Sequence, residues 1–115
     1  MQLSTVAILV VTALHLAFFV LESLLWMHPR TNRLFGLNRD EAQGTRVLAL
    51  NQGFYNLGAA LLLLVFYGID NAAGVIGMLL FLFAMGVVGG VTANWRIIVL
   101  QSLPALAAVL LFAWP

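Results

Sequence analysis

LSTVAILVVTALHLAFFVLESLLW, residues 3–26, is an apolar run broken by only two ionisable side chains, His15 and Glu22. About 20 mainly apolar residues cross the ~30 Å hydrocarbon core of a bilayer as a helix. This stretch is long enough to do so. It is also longer than the apolar region of a secretory signal, and no Lys or Arg precedes it. It therefore reads as a retained membrane span. Seven residues separate His15 from Glu22, nearly two helical turns, so the pair is expected on one face, about 10 Å apart along the axis. Ionisable groups inside a span are costly and mark candidate functional sites.

The rest of the chain supports lipid as its solvent. Of 115 residues, 63% are hydrophobic and 8% charged, where a soluble domain carries roughly a quarter charged residues. Mean hydropathy is +1.07. A net charge of +1 gives no basis for nucleic-acid binding, and the absence of cysteine removes disulfides, thiolate metal sites and cysteine nucleophiles. No cofactor or metal site is indicated.

Three further apolar stretches follow, at about 45–67, 72–91 and 95–114. The last has Trp95 and Trp114 near its ends, as interfacial belts prefer. The expected fold is all-α, an integral membrane four-helix bundle in a single domain. The one long polar segment, 27–44, links the first two spans. In it, Pro29 disfavours helix at His28. Asn38 with Glu41 three residues on predicts a capping box opening a helix that runs into the second span. Leu34, Phe35 and Leu37 are expected along the interface.

All basic charge is arginine. Arg30, Arg33, Arg39 and Arg46 flank the first connection and Arg96 sits at the third, while the opposite side has no Lys or Arg. The positive-inside rule then puts both connections in the cytoplasm and both termini outside.

At ~1.5 Å per residue, Glu22, Asn51, Gln52 and Gln101 fall one to two turns below the cytoplasmic surface. His15, Tyr55 and Asn56 lie deeper. Along the second span, Asn51 stacks on Tyr55 and Gln52 on Asn56 at i, i+4, forming a polar wedge. An amide facing hydrocarbon leaves its donors unpaired at a cost of several kcal/mol, so the wedge is expected to face the bundle. There it would line one polar pocket with Glu22, His15 and Gln101. Pro104 removes a backbone donor and can free carbonyls near Gln101. Against this stands a plainer reading, in which buried amides bond helix to helix, each contributing about 0.6–2 kcal/mol. Gly86 and Gly90 form a G-x-x-x-G read mainly as packing within the chain, and Met78 and Met85 also read as packing residues. His28 is expected to be solvated at the interface.

The H-L-x-x-x-x-L-E-x-x-x-W run at His15 to Trp26, followed by Pro29 and Phe35, together with N-Q-G-F-Y-N at 51–56 and a closing block of glycines, Thr92, Gln101 and Pro104, resembles the family catalogued as domain of unknown function 1304. The resemblance covers nearly the whole chain. It implies a multi-pass protein of the bacterial inner membrane and carries no established activity. No G-x-G-x-x-G precedes a helix, so a nucleotide-sugar fold is not indicated.

Three functions fit these residues. One is a membrane enzyme acting on a small amphipathic or lipid-like molecule, with Glu22 and His15 as acid/base pair, Tyr55 beside them, and Asn51, Gln52, Asn56 and Gln101 holding substrate. Proton transfer or isomerisation suits this inventory better than hydrolysis, since no activated Ser or Cys is visible. The second is a small proton-coupled exporter, against which stand the end-of-span position of Glu22 and the one-sided arginines. The third is a structural or accessory subunit, including a haem or pigment carrier with His15 as axial ligand. Membrane lipid is the implied partner, and so thin a bundle admits a homo-oligomer.

Overall fold

A computed structural model describes residues 1–114. Among them are six α-helices and no strand: α1 (Leu3–Phe19), α2 (Pro29–Phe35), α3 (Arg39–Gly44), α4 (Arg46–Gly68), α5 (Ala72–Thr92) and α6 (Leu103–Ala113). A π-helical turn, Val20–Leu24, extends α1, and another, Ile98–Ser102, leads into α6. Three segments are long and apolar enough to cross a membrane: Leu3–Leu24, Arg46–Gly68 and Ala72–Thr92, of 22, 23 and 21 residues. The fourth apolar stretch gives a shorter apolar helix, Ile98–Ala113, about 24 Å at 1.5 Å per residue. Its expected first turn is taken up by the turn after α5, where Asn94 Oδ1 accepts from the Arg96 N–H at 3.0 Å.

The chain divides into two compact units, Met1–Leu14 with the residues from Ala59 onward, and His15–Gly58. The first has a core of Ile8, Val11, Leu63, Val75, Leu79, Leu82, Ala105, Ala108 and Val109. Val75, Leu79, Leu82 and Gly86 mark the buried stripe of α5 at helical spacing. Small residues on α6 let it approach closely. Gly86 faces Ser102 so tightly that an added Cβ would lie 2.9 Å from the Ser102 backbone nitrogen, and Gly90 is closed off by Ile98. The G-x-x-x-G thus packs within the chain. Thr5 Oγ1 and the Tyr67 hydroxyl, 2.5 Å apart, tie α1 to the end of α4.

Pro104 explains the second π-turn. It has no N–H, and its ring crowds the carbonyl four residues back. The Leu103 N–H reaches back instead to Ile98 O, in the wider register. This turn presents Gln101 and Ser102 to α5: the Gln101 amide donates to Leu82 O at 3.0 Å and the Ser102 hydroxyl to Phe83 O at 2.8 Å.

The second unit holds the end of α1, the first π-turn, α2, α3 and the start of α4. The polar segment is more helical than its sequence suggests. His28, extended at φ −71° and ψ 136°, caps α2, its Nδ1 accepting from the Arg30 N–H at 3.1 Å, with Pro29 in the first turn. Gly36 closes the helix in the left-handed region at φ 69°. The Asn38–Glu41 capping box forms as expected. The helix it opens does not run into α4, however, but stops at Gly44. Thr45, at φ −107° and ψ 6°, breaks it, and the Thr45 hydroxyl donates to Glu41 O at 2.7 Å. Here Trp26 replaces helical continuity. Its indole N–H donates to Ala42 O at 3.1 Å and Thr45 Oγ1 at 3.2 Å, its carbonyl accepts from Asn32 Nδ2, and its ring lies 5.0 Å from that of Phe35.

Candidate functional site

The site lies within His15–Gly58 and is built from the π-turn after α1 and the first turns of α4. Ser23 and Gly53 bring the two together. The Ser23 hydroxyl donates to Leu50 O at 2.8 Å, and Gly53 leaves no room for a Cβ, which would lie 2.9 Å from the Ser23 backbone nitrogen. One turn along α4, Asn56 Nδ2 donates to Glu22 Oε1 at 2.7 Å. Phe19 and Phe54 meet edge to face at 5.3 Å.

Beside these contacts runs an open groove of about 470 Å³, lined by Glu22, Trp26, Thr45, Leu48, Ala49, Asn51, Gln52 and Tyr55. Leu48, Ala49, Gln52 and Tyr55 follow helical spacing along one side of α4, with Thr45 just before its first residue. Glu22 and Trp26 face them. Asn56 is buried at 8%, whereas Asn51 and Gln52 are exposed and Tyr55 is 78% exposed. The wedge is therefore split: Asn56 is packed against the acid, and the other three residues form the groove's open side.

Residues 9–113 match the family described as Protein of unknown function (DUF1304). The chain belongs to this family. No curated protein and no solved structure matches it. In this DUF1304 member the first two sequence blocks, His15 to Trp26 and 51–56, meet through the Ser23–Leu50 and Glu22–Asn56 hydrogen bonds. The third block is spent on packing within the other unit, where the Gly86 turn of α5 receives Gln101 and Ser102.

Of the predicted site residues, Glu22, Asn51, Gln52 and Tyr55 line the groove and Asn56 holds the acid from behind. His15 and Gln101 are not among the lining residues. His15 is 1% exposed, its ring edge-on to Phe18 at 5.4 Å. The π-turn between His15 and Glu22 takes them out of the simple seven-residue register, because each residue of a wider turn rotates the side chain less. Trp26, Thr45, Leu48 and Ala49 complete the lining without having been expected as site residues. Thr45 and Ala49 stand one turn apart and lead to Gln52 at helical spacing, which was a readable signal. Trp26 reads from sequence only as an interfacial aromatic, and its indole bonds to the loop belong to the tertiary structure.

Among the described residues no three His, Cys, Asp or Glu side chains gather as a metal site. Chemically, the groove offers one carboxylate with its second oxygen uncommitted to Asn56, one phenol, two free amides and an aromatic wall. That set can accept or pass a proton and can orient a polar head.

Proposed function

We propose that this chain is a four-span protein of the bacterial inner membrane, with both termini outside and its arginine-rich connections in the cytoplasm. Its groove opens toward the cytoplasm and binds a small amphipathic, lipid-like molecule, on which Glu22 acts as proton acceptor and donor in an isomerisation. The topology is supported by all five arginines falling at the first and third connections. The binding reading rests on one observation: Glu22, fixed by the buried Asn56 amide, stands in the wall of an open groove with Asn51, Gln52 and Tyr55. A carboxylate in an apolar helix is a poor structural tie when neutral amides would serve as well. Tyr55 and the exposed amides orient the polar head, and Leu48 and Ala49 meet the apolar part. Gln101 is assigned to packing, since its amide is bonded to Leu82 O.

Native mass spectrometry of protein extracted from its membrane tests this reading. The wild-type chain should carry a co-purifying amphiphile that Glu22→Gln loses, while Leu80→Ala, on an exposed apolar position of α5, retains it. Equal occupancy of wild type and Glu22→Gln would remove Glu22 from the site.

A further inference from the structure

Glu22 is the one carboxylate in the groove lining, which has no Lys, Arg or His. An anionic head placed there would meet a carboxylate with no counter-charge. A neutral head would bring it no counter-charge in a low-dielectric setting, whereas a cation would. Asn56 occupies only one of the roughly four acceptor positions of a carboxylate. The aromatic residues point the same way. The Trp26 indole N–H is already committed to Ala42 O and Thr45 Oγ1. What Trp26 can offer a ligand is thus its electron-rich ring rather than a donor. Tyr55, highly exposed, adds a second such ring to the same lining. A carboxylate with Trp and Tyr rings is the combination that recognises ammonium groups, by charge and by cation–π attraction. The groove's volume of about 470 Å³ lies within the ~300–1,000 Å³ of small-molecule sites, and Leu48 and Ala49 supply an apolar stretch for a chain.

We propose that the groove is selective for cationic amphiphiles, molecules with one ammonium head and an apolar tail. This rests on the groove being a ligand site at all, the reading given above. Free alkylammonium compounds and amine-headed lipids share this chemistry. The two differ in the lipid's phosphate, which has no basic partner in the lining.

The test is isothermal titration of the full chain in nanodiscs of phosphatidylglycerol and phosphatidylcholine. The probes are decyltrimethylammonium, uncharged decanol and anionic decyl sulfate, each corrected for partition into empty nanodiscs. Decyltrimethylammonium should bind the wild type at least tenfold more tightly than either of the others. Glu22→Gln should lose at least tenfold for that probe alone. Tyr55→Ala, at a surface position that does not endanger folding, should lose several-fold. Repeating the titration in nanodiscs containing phosphatidylethanolamine separates the two sources: an unchanged affinity assigns the site to free alkylammonium ions, and competition assigns it to the amine-headed lipid. If decanol or decyl sulfate binds as tightly as the ammonium and Glu22→Gln weakens it, the groove stands as a site and its cation selectivity is overturned. If no probe binds the wild type, or Glu22→Gln and Tyr55→Ala both leave ammonium binding unchanged, the selectivity fails together with the site.

Discussion

Glycine permits two close backbone approaches. At Gly53 and Gly86, the space a Cβ would need is filled by Ser23 and Ser102, and each serine hydroxyl donates to a backbone carbonyl of the glycine's own helix, Leu50 O or Phe83 O. Gly53→Ala and Gly86→Ala should each destabilise by ~1–3 kcal/mol through overpacking and loss of the serine bond. Gly77, on the same helix as Gly86, has nothing within 4 Å of an added Cβ. There alanine should be neutral or stabilising by up to ~1 kcal/mol from helix propensity. Denaturation of the three variants in mixed micelles gives the comparison; a Gly86→Ala protein as stable as Gly77→Ala would refute the packing account. Asn56→Ala removes the amide that bonds Glu22 and should cost ~1–3 kcal/mol for a group left unsatisfied, read in the same assay.

Among the elements, the two π-turns do the most to aim side chains. The turn at Ile98–Ser102 exists because Pro104 cannot donate, and it directs Gln101 and Ser102 at α5. Pro104→Ala restores a donor four residues after Leu100 and should return the turn to α-helical register, rotating both side chains away. A double-mutant cycle detects this. Ser102→Ala should cost about 1 kcal/mol in the wild type and close to nothing in the Pro104→Ala background. Equal costs in both would mean that the proline does not set the turn. The first π-turn, Val20–Leu24, acts similarly on Glu22 and Ser23. No proline follows it within the turn, so it could not be read from the sequence; it forms where Ser23 and Glu22 find partners on α4.

For the whole molecule, topology is the accessible question, and the lack of cysteine makes it clean to ask. Single cysteines at Gly36 and at Ile69 should label oppositely with a membrane-impermeant maleimide in sealed spheroplasts. Position 69 should react and position 36 only after permeabilisation. Labelling of both in sealed cells would overturn the orientation argued from the arginines.

The apolar runs were legible because crossing hydrocarbon requires length and hydropathy that no soluble chain of this size shows. Helical character, three of the stretches able to cross a membrane, the Asn38–Glu41 cap and the residue types of the groove all follow from local pattern. The break at Thr45 was not legible, because a tryptophan nineteen residues earlier in the chain satisfies the groups there. Nor was the sorting of the polar residues. Seven side chains, four near the cytoplasmic surface and three deeper, read as one cluster. Only tertiary packing sends Gln101 to the carbonyl of Leu82, buries His15 beside Phe18, and leaves Glu22 held by Asn56 at the edge of a groove. Depth in a membrane is set by position along the chain, whereas the direction a side chain faces depends on turn register and on which neighbour supplies the missing hydrogen-bond partner.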